Sequence, residues 1–153
     1  MKRFFLAVIL VYVTWTAMDM VIHGMILMGL YEQTSHLWRP MNEMKVGLMH
    51  LITLLSALFF TGIFGCLVQP KSIKTGLRYG LGIGLLIGLG MGWGSYSYLP
   101  IPKSLAWGWM LGAIAETLVG GVIVGWLVKT CPCPMSCKDS GTCVEDKSSE
   151  NKS

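Results

Sequence analysis

From Val46 to Val68 the chain carries no Asp, Glu, Lys or Arg, and that stretch rules out most of the ways a chain can fold. About 20 apolar residues in an α-helix cover the roughly 30 Å of a bilayer's hydrocarbon core. A core helix of that length in a water-soluble protein shows a charged face, and this one has none. Three further segments are nearly as apolar: Phe4 to about Tyr31, Gly76 to Tyr98, and Ser104 to Val128. In lipid, only helices and closed barrels satisfy every backbone group, and the strict alternation of barrel strands is missing. The expected fold class is all-α: a four-helix transmembrane bundle over residues 1–129, then a short cysteine-containing tail over 130–153.

Composition agrees. Of the 153 residues, 53% are hydrophobic and 13% charged, against about 25% charged in a typical soluble domain. One domain suits this length. The net charge of +4 does not point to nucleic acid, because the basic residues flank apolar runs instead of forming a stripe with interleaved aromatics. Lys2-Arg3 followed by Phe4 to Val13 resembles a signal peptide, but the apolar run continues through Met28. Cleavage after Ala17 would also place Trp15 where a small residue is needed, so the segment reads as an uncleaved anchor.

The basic residues set the expected orientation. Lys2, Arg3, Lys71, Lys74, Arg78 and Lys129 mark both ends and the second connection. Arg39 and Lys45 in the first connection are offset by Glu32 and Glu43, and the third has only Lys103. Both termini are therefore expected in the cytoplasm, with the chain in a cell inner membrane. Tyr31, Trp38, Tyr96, Tyr98, Trp107 and Trp109 suit a belt at the outer interface, and Trp126 the inner one. Leu99-Pro100-Ile101-Pro102 cannot continue a helix and turns the chain outside.

Glycines recur at spacing four in the third segment: Gly76, Gly80, Gly84, Gly88 and Gly92, with Gly82, Gly90 and Gly94 on a neighbouring face. The fourth carries Gly108, Gly112, Glu116 and Gly120, with Gly121 and Gly125 beside them. Such ridges let helices approach closely. A sliding or gating interface would use them, but static packing within the chain or in a homo-oligomer is the commoner use.

Four ionisable residues fall inside the spans: Asp19, His23, His50 and Glu116. A charge at the centre of a membrane helix costs at least about 2.5–3.5 kcal/mol, so such groups face the bundle interior. Tyr12, Thr16, Asp19 and His23 share one face of the first helix; His50, Thr53, Ala57 and Thr61 share one face of the second. Together the two carboxylates and two imidazoles could bind a divalent cation or relay protons. Separately, each could be satisfied by a local partner, and the sequence leaves both open.

After Lys129 come Cys131, Cys133, Cys137 and Cys143. Reduced and clustered in a cytoplasmic tail, they suit a soft metal such as Zn or Cu(I). Their spacing is not the paired C-x-x-C of zinc ribbons, and in an oxidising compartment they would form disulfides instead. A tail without a shared role for its cysteines is the third possibility. Residues 145–153 have the composition of a disordered end. A peptide of residues 130–146 is expected to bind Zn²⁺ or Cu(I) under reducing conditions and release protons as it does so. Replacing Cys131 and Cys133 by serine should abolish tight binding, and a peptide that ignores the metal would remove the site. Met18, Met20, Met25 and Met28 near His23, and Met41, Met44 and Met49 before His50, read first as apolar filler and only second as thioether ligands.

The stretches Asp19 to Leu27 (DMVIHGMIL), Leu37 to Met44 (LWRPMNEM), Gly76 to Leu81 (GLRYGL) and Leu99 to Ala106 (LPIPKSLA) resemble a group of small bacterial four-helix integral membrane proteins. That resemblance implies the bundle up to Val128, does not include the cysteine tail, and brings no activity, cofactor or site residue with it. The functional expectation is a membrane protein that handles a metal ion, as a transport component or accessory. The alternative is a structural or interaction subunit of a membrane complex or homo-oligomer. An enzyme is not expected, since no nucleophile elbow, HExxH or phosphate loop occurs.

Overall fold

A computed structural model describes residues 2–129, and every regular element among them is helical. Helix α1 spans Lys2–Val21 and passes into a π-helical turn, Ile22–Ile26. Short α2 covers Met28–Gln33, and two 3₁₀ turns, Ser35–Leu37 and Met41–Glu43, lead to α3, Val46–Leu67. Helix α4, Ile73–Gly88, continues through a π-helical turn, Leu89–Gly94, into α5, Ser95–Tyr98. Helix α6 runs Lys103–Leu127. Three of these helical segments, Lys2–Ile26, Val46–Leu67 and Lys103–Leu127, are long and apolar enough to cross a membrane. The first segment is not the continuous helix expected from about residue 4 to 31: its α-register breaks at Ile22 and again at Leu27. The second π turn falls on Leu-Gly-Met-Gly-Trp-Gly, where three glycines weaken the preference for α geometry.

Local chemistry sets several helix ends. Ser72 caps α4, its Oγ accepting from the Thr75 amide at 3.1 Å. At the end of α3 the Lys71 ammonium donates to the carbonyls of Phe64, Gly65 and Val68 at 2.6–2.8 Å and lies 5.2 Å from the Phe64 ring centre. It satisfies carbonyls that the last turn leaves open. Pro102 precedes α6 as its cap.

Lipid tails are as apolar as leucine, so helices in a membrane associate through close packing and hydrogen bonds. Both are visible. Helices α4 and α6 run antiparallel in backbone contact. A Cβ at Gly76 would fall on the Gly121 carbonyl, one at Gly80 on that of Thr117, and one at Gly92 on that of Ala106. At Gly84 a Cβ would sit 2.8 Å from the Ile114 Cα, and at Gly88 2.9 Å from the Met110 carbonyl oxygen. Gly82 and Gly90, on the neighbouring face, have nothing within 4 Å.

The glycine row of α6 has a different neighbour. Gly108 packs on Leu27, Gly112 on Ile22, and Gly120 under Trp15 and Phe60. That row faces the first helical segment, not the α4 ridge it appears to match in sequence; α4 is met instead by Ala106, Met110, Thr117, Gly121 and Gly125. Helix α6 thus has two packing faces, and α1 carries α3 on its other side. Ala7, Val11, Trp15, Ala57, Phe60, Phe64, Val124 and Val128 make the core there, and Tyr79 of α4 donates to the Phe60 carbonyl at 2.9 Å. A second core, around Leu27, Ile101, Leu105 and Ala106, closes the α2 end. Large apolar side chains such as Phe59, Leu86 and Trp126 point outward.

Candidate functional site: an acid pair between α1 and α6

Along the α1–α6 contact the first segment rises as α6 descends: Trp15 lies on Gly120, Ile22 on Gly112 and Leu27 on Gly108. Glu116 occupies the place in the glycine row that falls opposite Asp19. The two carboxyls lie close enough across the interface to feel each other's charge. Glu116 Oε1 is buried without a hydrogen-bond partner among the described residues. Its backbone is fixed from the α1 side, where the Trp15 indole donates to the Glu116 carbonyl at 2.7 Å. The small residues on either side, Gly112 and Gly120, let α1 come near enough for the carboxyls to meet.

His23 lies one turn beyond Asp19, inside the π-helical turn, with Nε2 3.7 Å from Asp19 Oδ1. Its Nδ1 is 2.7 Å from the Tyr31 hydroxyl, and the Trp109 indole donates to that hydroxyl at 2.6 Å. Trp38 packs edge-on against both Tyr31 and Trp109, at 5.5 and 5.9 Å between ring centres. It is held by donating to Thr34 Oγ1 at 2.9 Å. A row of polar side chains therefore runs from Glu116 through Asp19 to the hydrogen-bonded His23, Tyr31 and Trp109, capped by aromatic rings at the α2 end.

His50 does not join this group. Its Nδ1 meets the Tyr12 hydroxyl at 3.3 Å on an exposed part of the α1–α3 contact. The four ionisable residues picked out in the sequence thus divide into a set of three and a separate His50–Tyr12 pair. Among the described residues, no three His, Cys, Asp or Glu side chains are grouped so as to hold a metal ion. Cys131, Cys133, Cys137 and Cys143 lie outside the described residues. Cys66, alone on α3 in the sequence, is disulfide-bonded.

Tyr31 and Trp109 read in the sequence as interfacial aromatics, yet both are members of the site. Spacing gave no direct signal for the His23–Tyr31 contact, because the π turn and the break at Leu27 shift the phase between them. Trp15, read only as an obstacle to signal cleavage, holds the Glu116 backbone.

No protein-family model, curated protein or solved structure matches the chain. Together, fold and site define an all-helical structure over the described residues, with three helices long and apolar enough to cross a membrane and two carboxyls on neighbouring helices.

Proposed function

We propose that this is a multi-pass membrane protein that handles protons at the Asp19–Glu116 pair, as a component of a transport system. The observation that carries the reading is the place of Glu116 opposite Asp19, between the Gly112–Ile22 and Gly120–Trp15 contacts, with its buried Oε1 unpartnered among the described residues. Each charge in a membrane helix costs at least about 2.5–3.5 kcal/mol. Two neighbouring carboxylates add their mutual repulsion, so the pair is best accommodated by a proton between them. A packing role does not need such groups, since the glycine rows already serve it.

A divalent metal ion as cargo is less well supported at this place. That expectation relied on two imidazoles joining two carboxylates, and His50 is engaged elsewhere. Metal handling would then rest on the tail cysteines. The test is proton uptake into vesicles that hold the purified full-length protein and a pH-sensitive dye, driven by an imposed membrane potential. Uptake above that of protein-free vesicles supports the reading, and equal rates reject it. Zn²⁺ added to the same vesicles checks the metal reading: a Glu116-dependent change in metal content would favour it.

Residues 73–98 are proposed as a fourth crossing. They follow α6 antiparallel, with backbone contact from Gly76 to Gly92, so a membrane that α6 spans is spanned by them too. With four crossings, both ends lie on one side, and the positive-inside rule makes it the cytoplasmic face of an inner membrane. A cytoplasm-active reporter fused after Lys129 is expected to work and a periplasm-active one to fail. The reverse pattern would overturn the orientation.

A further inference from the structure

The donors and acceptors around Tyr31 favour one protonation of the His23 ring. An indole N–H can only donate, so Trp109 makes the Tyr31 oxygen an acceptor at 2.6 Å. The phenol then has one proton to place, and His23 Nδ1 is the acceptor within reach at 2.7 Å. A neutral imidazole that accepts at Nδ1 carries its own proton on Nε2. That nitrogen is the one on the carboxyl side, 3.7 Å from Asp19 Oδ1. We propose that Tyr31 is the positioning residue of the site: it holds His23 as the Nε2–H tautomer, so that the ring is the proton donor to the Asp19–Glu116 pair and Tyr31 is the way in from the α2 end.

The step balances without any group beyond water. One water bridges the 3.7 Å gap: Nε2–H gives its proton to the water, which gives one to Asp19, Nδ1 takes the phenol proton of Tyr31, the half-buried phenol recovers one from hydronium at the interface, and rotation of the ring restores the Nε2–H donor form. The titratable groups facing the ring are Asp19 on its own helix, Tyr31 on α2 and, through Asp19, Glu116 on α6. The π turn has a purpose here. It carries His23 at the point where the chain bends so that Tyr31, eight residues on, folds back onto the same ring. Single π turns inside helices are frequent at functional sites.

The proposal rests on reading the acid pair as a proton site, but its test does not need proton flux. Full-length protein with His36→Gln and His50→Gln leaves His23 as the one histidine, and ring ¹⁵N shifts report its tautomer. The Nε2–H form is expected to dominate at neutral pH. In Tyr31→Phe the ratio of the two tautomers should fall about tenfold, the worth of one good hydrogen bond. Trp109→Phe should produce a smaller change in the same direction. A ring that carries its proton on Nδ1, or a ratio that Tyr31→Phe leaves unchanged, overturns the proposal even if the vesicles take up protons. Conversely, vesicles without uptake but with the expected tautomer shift would reject the proposed function and keep the positioning role.

Discussion

Gly80→Leu is expected to leave no folded α4–α6 pair, while Gly82→Leu, two residues away, should leave a protein as stable as the wild type. The two positions lie on one helix and differ in what surrounds them. A Cβ at Gly80 would land on the Thr117 carbonyl, with the Leu118 Cα 3.2 Å away, and neither atom belongs to a side chain that could swing aside. Even Gly80→Ala therefore costs about 3 kcal/mol, the upper end of the usual overpacking range, since α6 must move bodily to admit the methyl group. At Gly82 nothing lies within 4 Å, and Gly82→Ala gains up to about 1 kcal/mol from helix propensity. Thermal unfolding in detergent, with chromatography to detect aggregation, measures both. Equal stability of the 80 and 82 variants would mean that the α4–α6 backbone contact is not what holds the bundle.

The second large effect is expected at Glu116, and it separates function from stability. Glu116→Gln should reduce proton uptake to the level of protein-free vesicles, because an amide cannot take up and pass on a proton. The same substitution should leave the melting temperature unchanged or raise it. A neutral amide is easier to bury than a carboxylate, and its N–H₂ supplies a donor to Asp19 across the interface, worth about 1 kcal/mol. Asp19→Asn should behave alike. A loss of stability that parallels the loss of uptake would make the pair a structural lock. Retained uptake with retained stability would remove it from the proton path and leave the interaction-subunit reading as the better account.

The regular parts of the fold were legible because they depend on local composition. An uncharged run over 46–68 became α3 at Val46–Leu67, and the run over 104–128 became α6 at Lys103–Leu127. The α4 ridge could be read as a packing surface from its spacing, but its partner could not, since two rows of small residues run along α6 and only tertiary register decides which one α4 meets. That same register puts Glu116 opposite Asp19. Spacing along one helix cannot reveal it, and a slip of one turn would have set Glu116 against Ile22 or Trp15. The break in the first segment was hidden for a different reason. Met-Val-Ile-His-Gly-Met-Ile-Leu is apolar apart from His23 and contains no proline, so nothing local marks the π turn that turns His23 toward Tyr31. His50 was misleading because its depth on α3 suits the shared site, whereas Tyr12, half-way along α1, reaches it first.

The two faces of α6 are joined to their neighbours by different materials, and this gives the molecule a mechanical grain. On one side, backbone rests on backbone from Gly76 to Gly92, a joint with no side chains to yield, so α4 and α6 behave as one plank. On the other side, Trp15, Ile22 and Leu27 lie over glycines, and rotameric side chains can give way without disturbing either helix. Bending or parting is therefore easier along the α1–α6 seam than between α4 and α6, and the acid pair sits in that seam. A small tilt of α1 against the plank would change the separation of the two carboxyls before it changed anything else.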